Sequence, residues 1–140
     1  MVIWCSYQHE VAHVVAGLGR EFGRGSVVEI HGRVKESDRA AAIAAIQSGA
    51  ARFLVGIAAS GGAGITVTAA SLMVYYSNNF SYIQRAQSED RCHRLGQTRT
   101  VTIIDLVAEG TVDETIMDAL AAKVDLARWV ADHGASNSTS

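Results

Sequence analysis

The sequence predicts an α/β fold of three layers, in which a mostly parallel sheet is flanked by helices on both faces. Short apolar runs rich in β-branched residues alternate with segments whose apolar residues recur at helical spacing. In this order the connections are right-handed crossovers, which make neighbouring strands parallel and place helices over the sheet. The 140 residues include 13 glycines and no proline, so glycine is expected to form the turns of a single domain.

Five strands and four helices are predicted in chain order. The strands are expected at residues 2–5, 27–30, 52–57, 72–76 and 100–107. The helices are expected at residues 7–20, 39–47, 82–92 and 112–132. A polar segment follows the last helix and is expected to fray. The predicted organisation is therefore one domain over residues 1–132 and a flexible tail over residues 133–140.

Composition and charge exclude several classes of protein. The formal net charge is −2, so the domain lacks the overall positive field of many nucleic-acid binders, and any such contact should be local. No apolar run approaches the ~18 residues of a membrane span, and the first residues lack a signal-peptide pattern. Cys5 and Cys92 form no metal or disulfide motif, which indicates the cytoplasm, including a nucleoid or a eukaryotic nucleus. A strand that begins almost at the first residue suggests a piece of a longer protein.

Two arginines, Arg91 and Arg94, are predicted at the end of the third helix. Their spacing places them on nearly the same helix face. A guanidinium is always charged and its planar donors match phosphate oxygens, so the pair could bind a phosphate that gains negative charge during a reaction. The alternative is a solvated helix end, in which the arginines favour the helix dipole and pair with Glu89 and Asp90.

A glycine-rich stretch at residues 60–68 follows the third predicted strand and contains Gly61, Gly62 and Gly64. It is not a Walker A loop, because no Gly-Lys-Ser/Thr sequence follows, and it lacks the third glycine of a dinucleotide-binding loop. Two interpretations remain open: a tight turn, or a loop whose backbone N–H groups approach a phosphate. Ligands of parallel sheets lie beyond the carboxyl ends of the strands, and both this stretch and the arginine pair are expected at that edge.

The first helix contains the sequence HEVAH, which matches the H-E-x-x-H signature of zinc proteases. His9 and His13 could bind Zn²⁺, with Glu10 as the general base. The extended motif requires a glycine and a third histidine where this chain has Ala16 and Gly19. Two histidines on a partly exposed helix face are therefore favoured, zinc hydrolysis is kept as a third alternative, and no metal ligand is predicted.

Three stretches together resemble a known family. They are SGGAGITVTAA at residues 60–70, QSEDRCHRLGQT at residues 87–98 and AEGTVDE at residues 108–114. The set is similar to the second RecA-like lobe of Swi/Snf-type motors, which are superfamily-two helicase and translocase ATPases. The HRLGQ sequence at residues 93–97 is the most specific part, and the resemblance covers nearly the whole chain to about Leu120. It implies the RecA-like form of the three-layer fold.

The resemblance implies how ATP would be bound. In this family ATP with Mg²⁺ binds between two lobes, mainly through motifs of a first lobe that these residues do not contain. The second lobe lends arginines to the γ-phosphate, here Arg91 and Arg94, with Arg94 favoured as the arginine finger. Gln87 is similar to the glutamine beside them at the cleft. Gly62 and Gly64 are similar to the loop that couples the nucleotide site to nucleic acid.

The resemblance also implies contacts with the phosphate backbone of double-stranded DNA, which would carry no sequence specificity. The residues implied are Ser6, His31, Gly32, Ser60 and Gly61. The chain departs from the family at Thr66, where many relatives have asparagine, and at residues 77–80, which lack the usual acidic and tryptophan-rich turn. The expected function is half of a DNA translocase that is inactive without its first lobe. The alternative is a non-enzymatic module of the same fold that binds nucleic acid or protein.

Overall fold

The described part of the chain forms one sheet of five parallel strands with helices packed against it. The computed structural model describes residues 1–58, 66–92 and 96–134. The strands are β1 (Val2–Cys5), β2 (Val27–Ile30), β3 (Phe53–Ile57), β4 (Leu72–Tyr75) and β5 (Thr102–Asp105). The helices are α1 (Gln8–Phe22), α2 (Glu36–Ser48), α3 (Tyr82–Asp90) and α4 (Val112–Gly134), with a short 3-10 helix at Arg24–Ser26. The predicted parallel α/β sheet flanked by helices is confirmed.

The central strand β1 is buried along its whole length, as its continuous apolar sequence predicts for a strand covered on both faces. The spatial order of the sheet is β2-β3-β1-β4-β5. Val2 pairs with Leu54 of β3 on one side and with Met73 of β4 on the other. The chain therefore builds one half of the sheet before it crosses β1 to build the other. The carboxyl end of β1 is the point where the strand order reverses, which is where ligands of such sheets usually bind.

Helices α2 and α4 extend beyond their predicted limits. α2 begins at Glu36 rather than at residue 39, because Lys35 takes the N-cap position and acidic side chains fill the first turn, where they complement the helix dipole. α4 continues through Gly134, two residues into the predicted tail, and residues 135–140 lie outside the described part of the chain. Among the helices that the structure describes, none combines the length and the apolar character needed to cross a bilayer.

Two apolar clusters, one on each face of the sheet, form the core. Alternate side chains of β1 supply both, since successive residues of a strand point to opposite faces. The first cluster includes Val2, Trp4, Ile30, Leu54, Met73, Tyr75 and Cys92. The second includes Ile3, Cys5, Val11, Phe53 and Val55. Ile46 of α2 packs in the first cluster and Val11 of α1 in the second, so these two helices cover opposite faces.

Trp4 is fully buried and lies directly against Gly56 of β3. A Cβ atom at position 56 would lie 2.7 Å from the Ile30 carbonyl oxygen and 3.0 Å from a ring carbon of Trp4. The first distance is shorter than real Cβ contacts and involves the backbone, and the second is tighter than most such contacts. Glycine is therefore required at position 56, because the Ile30 carbonyl and the Trp4 ring occupy the space that a side chain would need.

Candidate functional site

The carboxyl ends of β1 and β2 bring three of the predicted DNA-contacting residues to one edge of the sheet. Ser6 directly follows β1, and His31 and Gly32 directly follow β2. β3 lies between these two strands and ends at the same edge, because all three are parallel. The remaining predicted contacts, Ser60 and Gly61, follow β3 in the sequence and lie outside the described residues.

His31 organises the turn that leads from β2 into α2. Its Nδ1 accepts a hydrogen bond from the Arg33 N–H at 3.3 Å, and its carbonyl oxygen accepts one from Arg39 Nη2 at 3.1 Å. Its Nε2 lies 3.6 Å from Glu29 Oε2, and the residue is only 8% exposed. Gly32, at the tip of the turn, is exposed. The histidine therefore shapes the turn, and the Gly32 backbone is the part that is open to a ligand.

Ser6 belongs to a small polar cluster at the carboxyl ends of β1 and β4. Its N–H donates to Glu10 Oε2 at 3.2 Å and to Ser77 Oγ at 2.8 Å, and the Ser77 hydroxyl donates to the same carboxylate oxygen. Glu10 Oε2 also accepts the N–H of Tyr7, the N-cap residue of α1, at 3.2 Å. A first helical turn leaves its N–H groups without partners inside the helix, and a side chain at this position can satisfy those around it. Glu10 thus ties the start of α1 to both strands.

This role of Glu10 accounts for part of the HEVAH sequence without a metal. The carboxylate that a zinc protease would use as a base already accepts the hydrogen bonds of the helix start. His9 and His13 are exposed, and the His9 ring stacks on that of Tyr7 with 5.8 Å between centroids. Across residues 1–58, 66–92 and 96–134, no group of three or more His, Cys, Asp or Glu side chains could hold a metal ion.

Arg91 follows the last residue of α3, Asp90, so the helix ends two residues earlier than predicted. Arg91 is only 6% exposed. Its guanidinium carbon lies 5.7 Å from the centroid of the Trp4 ring, within the range of a cation–π interaction. Its carbonyl oxygen accepts a hydrogen bond from the Val67 N–H at 2.9 Å. The alternative of a solvated helix end is therefore wrong for Arg91, because the core encloses its side chain.

Arg91 also lies at a different edge of the sheet from the one predicted. α3 starts from the loop after β4, at the carboxyl edge, and runs back along the sheet. Beyond its end, the Gln97 side chain donates to the carbonyl oxygens of Ala70 and Cys92 at 3.0 and 3.2 Å, and Ala70 lies just before β4. The prediction that the arginines share the carboxyl edge was wrong for Arg91. A crossover helix must return the chain to the amino edge before the next parallel strand can begin.

Gln87 of α3 is exposed. Its neighbour Ser88 is fully buried, and its Oγ lies 2.5 Å from the Tyr75 hydroxyl oxygen, which fixes the inner side of the helix. Gln87 and Arg91 are four residues apart and so lie on nearly the same side of the helix, although Gln87 is exposed and Arg91 is buried. The other predicted nucleotide-site residues, Arg94, Gly62 and Gly64, lie outside the described part of the chain.

The sequence analysis did not identify a charged network around Arg85 of α3. The guanidinium donates to both carboxylate oxygens of Asp105, at 2.5 and 3.1 Å, at the end of β5. It also donates to Glu89 Oε1 at 2.6 Å and to Asn78 Oδ1 at 2.9 Å. Its carbon lies 3.6 Å from the centroid of the Tyr75 ring. The spacing of Arg85 and Glu89 on one helix is the signal that the sequence offers, whereas Asp105 and Asn78 are brought in by the fold.

The two cysteines take no part in this chemistry. Burial, with a smaller contribution from the Glu10 carboxylate, raises the pKa of the Cys5 thiol to about 12. Burial likewise raises the pKa of Cys92 to about 11. A thiol is nucleophilic only when it is ionised, so both side chains remain protonated near neutral pH. They act as small apolar side chains in the two core clusters.

Residues 1–96 match the profile of a family described as the helicase conserved C-terminal domain. The chain is also 38% identical over 73 residues to Helicase ssl-1 of Caenorhabditis elegans. It is 37% identical over 75 residues to the Chromatin-remodeling ATPase INO80 of Homo sapiens. These alignments cover 52% and 54% of this chain, but 3% and 5% of the two relatives. The chain therefore spans a small fraction of the length of these curated relatives.

The fold is similar to a solved structure, that of the C-terminal part of the Fun30 ATPase domain. The TM-score is 0.78, and the aligned region covers 85% of this chain and 38% of that chain. The two sequences are 21% identical, so this likeness concerns the fold alone. It agrees with the RecA-like arrangement of strands and helices that the sequence predicts.

Proposed function

Since this chain belongs to the helicase conserved C-terminal domain family, we propose that it is the second RecA-like lobe of an ATP-dependent DNA translocase of the Swi/Snf type. The relatives named above are a helicase and a chromatin-remodelling ATPase. ATP arrives with Mg²⁺ and is held mainly by a first lobe.

The observation that carries the proposal is the hydrogen bond from the Val67 N–H to the Arg91 carbonyl oxygen, at 2.9 Å. Val67 lies at the end of the glycine-rich stretch that is proposed to sense nucleic acid. Arg91 opens the segment that is proposed to reach the γ-phosphate. This backbone hydrogen bond connects the two segments directly, and we propose that it couples their movements. This is a physical link of the kind that a DNA-stimulated ATPase requires.

In this proposal Arg94 is the arginine finger and Arg91 is the second cationic residue. Transfer of the γ-phosphoryl group spreads negative charge over its oxygens, and a positioned guanidinium stabilises that charge in the transition state. The packing of Arg91 against Trp4 supports the proposal in one respect. It anchors the chain at a point three residues before Arg94 in the sequence.

Three further residues complete the proposed nucleotide site. Gln87 is exposed on α3, where a first lobe could reach it. Gly62 and Gly64 are proposed to let the backbone approach the nucleotide and DNA closely, because glycine has no side chain to keep a ligand at a distance.

The carboxyl edge of the sheet is the proposed DNA face. Gly32 is exposed at the tip of its turn, and Arg33 and Lys35 are exposed in the same segment. Positive side chains beside an open backbone favour contact with phosphate oxygens, which fix the position of a duplex without reading its sequence. The proposed contacts are Ser6, His31, Gly32, Ser60 and Gly61.

The test is the ATPase activity of the complete natural protein, with and without duplex DNA. Arg94→Ala should lower the DNA-stimulated kcat about 10³-fold or more, as expected when an arginine finger is removed. DNA affinity and folding should stay unchanged. Arg99→Ala is the matched control, because Arg99 is exposed and lies shortly after the same segment.

Equal rates for the wild type and Arg94→Ala would overturn the motor proposal. They would favour the alternative, a module of the same fold that binds nucleic acid or protein without turnover. The isolated 140-residue chain should show no ATPase activity under the same conditions. Robust ATP hydrolysis by the chain alone would contradict the proposal that the active site needs residues from both lobes.

A further inference from the structure

We propose that Arg85 is a positioning residue for ATP hydrolysis, because it sets the direction of α3 and thereby the position of Arg91 at the end of that helix. The inference rests on the proposed function. It comes from a network that connects α3 with the ends of two strands. Arg85 does not touch the segment that it positions, and it acts through the helix.

The guanidinium of Arg85 is held from several directions at once. Asp105, the last residue of β5, accepts two hydrogen bonds from it, at 2.5 and 3.1 Å. Asn78, in the loop after β4, accepts a third at 2.9 Å, and Glu89 accepts a fourth at 2.6 Å. The ring of Tyr75 in β4 lies 3.6 Å from the guanidinium carbon. The start of α3 is therefore attached to β4, to the loop after it and to β5.

A second attachment lies one helical turn further along. Ser88 Oγ and the Tyr75 hydroxyl oxygen are 2.5 Å apart, and Ser88 is fully buried. Arg85 and Ser88 are three residues apart, so they project from the same side of the helix. Two attachments on one side fix the rotation of α3 about its own axis as well as its tilt. That rotation also sets the side of the helix from which Arg91 projects.

The geometry favours a role in orientation over a role in stability alone. The Arg85 and Asp105 side chains are 14% and 21% exposed, and partly buried ion pairs often contribute little net stability because both charges lose water. A two-pronged contact between guanidinium and carboxylate is nevertheless strongly directional. Lysine has one charged centre and cannot make this two-pronged contact. Arg85→Lys therefore keeps the positive charge but loses the directional contact with Asp105.

The helix carries this direction to Arg91, which precedes the proposed finger in the sequence. Arg85 and Arg91 are separated by six residues of continuous backbone, or about 9 Å along a helix axis. If the helix tilts about Arg85, its end moves by a distance that grows with the tilt angle and with this length of about 9 Å. Catalytic groups that are misplaced by about 1 Å can lose about 10²-fold in rate. A loosened Arg85 should thus affect the chemical step, although it lies far from the phosphate.

The test is steady-state ATP hydrolysis by the complete natural protein with saturating duplex DNA. Arg85→Lys should lower kcat about 10- to 100-fold, while the KM for ATP stays near the wild-type value. We expect kcat to fall without a change in KM because, in the proposed function, ATP is held mainly by the first lobe. Arg128→Lys, an exposed arginine of α4, is the matched control and should leave both constants unchanged. Rates are divided by the concentration of folded protein.

A double-mutant cycle separates positioning from a general loss of structure. If Arg85 acts through the arginine finger, Arg85→Lys should have little effect on the residual rate of an Arg94→Ala protein. A merely structural role would lower the rate by the same factor in both backgrounds. The Arg85→Met/Asp105→Leu double variant serves as a second probe, because it replaces the ion pair with apolar side chains of similar volume. It should show the same loss of kcat.

Two results would overturn the positioning role. One is an unchanged kcat for Arg85→Lys, and the other is an equal loss with and without Arg94. The failure of the proposed function has a different signature, since Arg94→Ala would then leave the ATPase rate unchanged. A large loss for Arg94→Ala combined with no loss for Arg85→Lys would reject only the inference about Arg85.

Discussion

At its start, α3 is held by directional polar contacts, whereas the segment at its end is held by burial. Ser81 caps the first turn, and Arg85 binds side chains from β5 and from the loop after β4. At the other end, Arg91 is packed against Trp4 and Cys92 is fully buried in the core. The two ends of α3 thus lie in different surroundings, polar at the start and apolar at the end.

Because polar contacts hold the start of α3 and burial holds its end, the two ends should respond differently to mutation. Hydrogen bonds to charged groups have narrow geometry, so they specify orientation. Apolar burial is not directional and mainly contributes stability. Changes near the buried end of α3 should therefore lower the free energy of unfolding the most. Changes at the polar start should have smaller effects on stability and larger effects on orientation.

The largest expected loss of stability comes from a change at Gly56, which lies against Trp4, the residue on which Arg91 packs. Gly56→Ala should destabilise the protein by about 3 kcal/mol, because the new methyl group would collide with the Ile30 carbonyl and with Trp4. Urea denaturation measures this difference. Gly17→Ala is the matched control, since no atom lies within 4 Å of a Cβ at that position in α1. It should stabilise slightly, as expected for alanine in a helix.

An unchanged free energy of unfolding for Gly56→Ala would contradict this account. It would mean that the Ile30 carbonyl and the Trp4 ring move aside without cost. The contrast between the two ends of α3 would then lose its structural basis, because Trp4 is the surface on which Arg91 rests.

The next effect concerns Arg91 itself. Arg91→Ala should lower the free energy of unfolding by about 2 kcal/mol, through lost packing of its buried stem and guanidinium. Gln87→Ala, on the exposed side of the same helix, should change it by less than about 0.5 kcal/mol. Chemical denaturation of both variants checks the difference. A similar change in the free energy of unfolding for both variants would indicate that Arg91 lies at the surface, as in the alternative of a solvated helix end.

The smallest effect is expected at the polar start of α3. Ser81 Oγ accepts the Gln84 N–H at 3.3 Å, so Ser81→Ala should cost about 1 kcal/mol, which is typical for the loss of an N-cap. Ser37→Ala is the control, because Ser37 is exposed inside the first turn of α2 and Lys35 takes the N-cap position there. Thermal unfolding of both proteins compares them. A larger loss for Ser37 would show that the cap of α2 was misassigned.

Much of the fold could be predicted because its signals are local. The limits of β1 and β2 agree with the prediction to the residue, since short apolar runs between turn residues leave little choice. The start of α3 at residue 82 was also predicted correctly. The limits of α2 and α3 were less accurate, because helix ends depend on capping contacts that composition describes poorly.

The candidate site was predicted in part. The placement of Ser6, His31 and Gly32 after parallel strands follows directly from the strand pattern. The burial of Arg91 does not, since it depends on the position of the Trp4 ring in another element. The roles of these residues in binding ATP and DNA stay predictions, and the Arg94 variant is the experiment on which most of them depend.

From the amino-acid sequence alone follow the alternation of strands and helices, the parallel sheet and the resemblance to a motor lobe. These depend on residue periodicity and on short motifs, which a linear sequence contains in full. The edge at which Arg91 lies and the partners of Arg85 followed only from the folded chain. Arg85 and Asp105 are 20 residues apart, and they meet because parallel pairing brings the end of β5 beside α3. Contacts of that kind depend on the topology of the sheet, which no local pattern encodes.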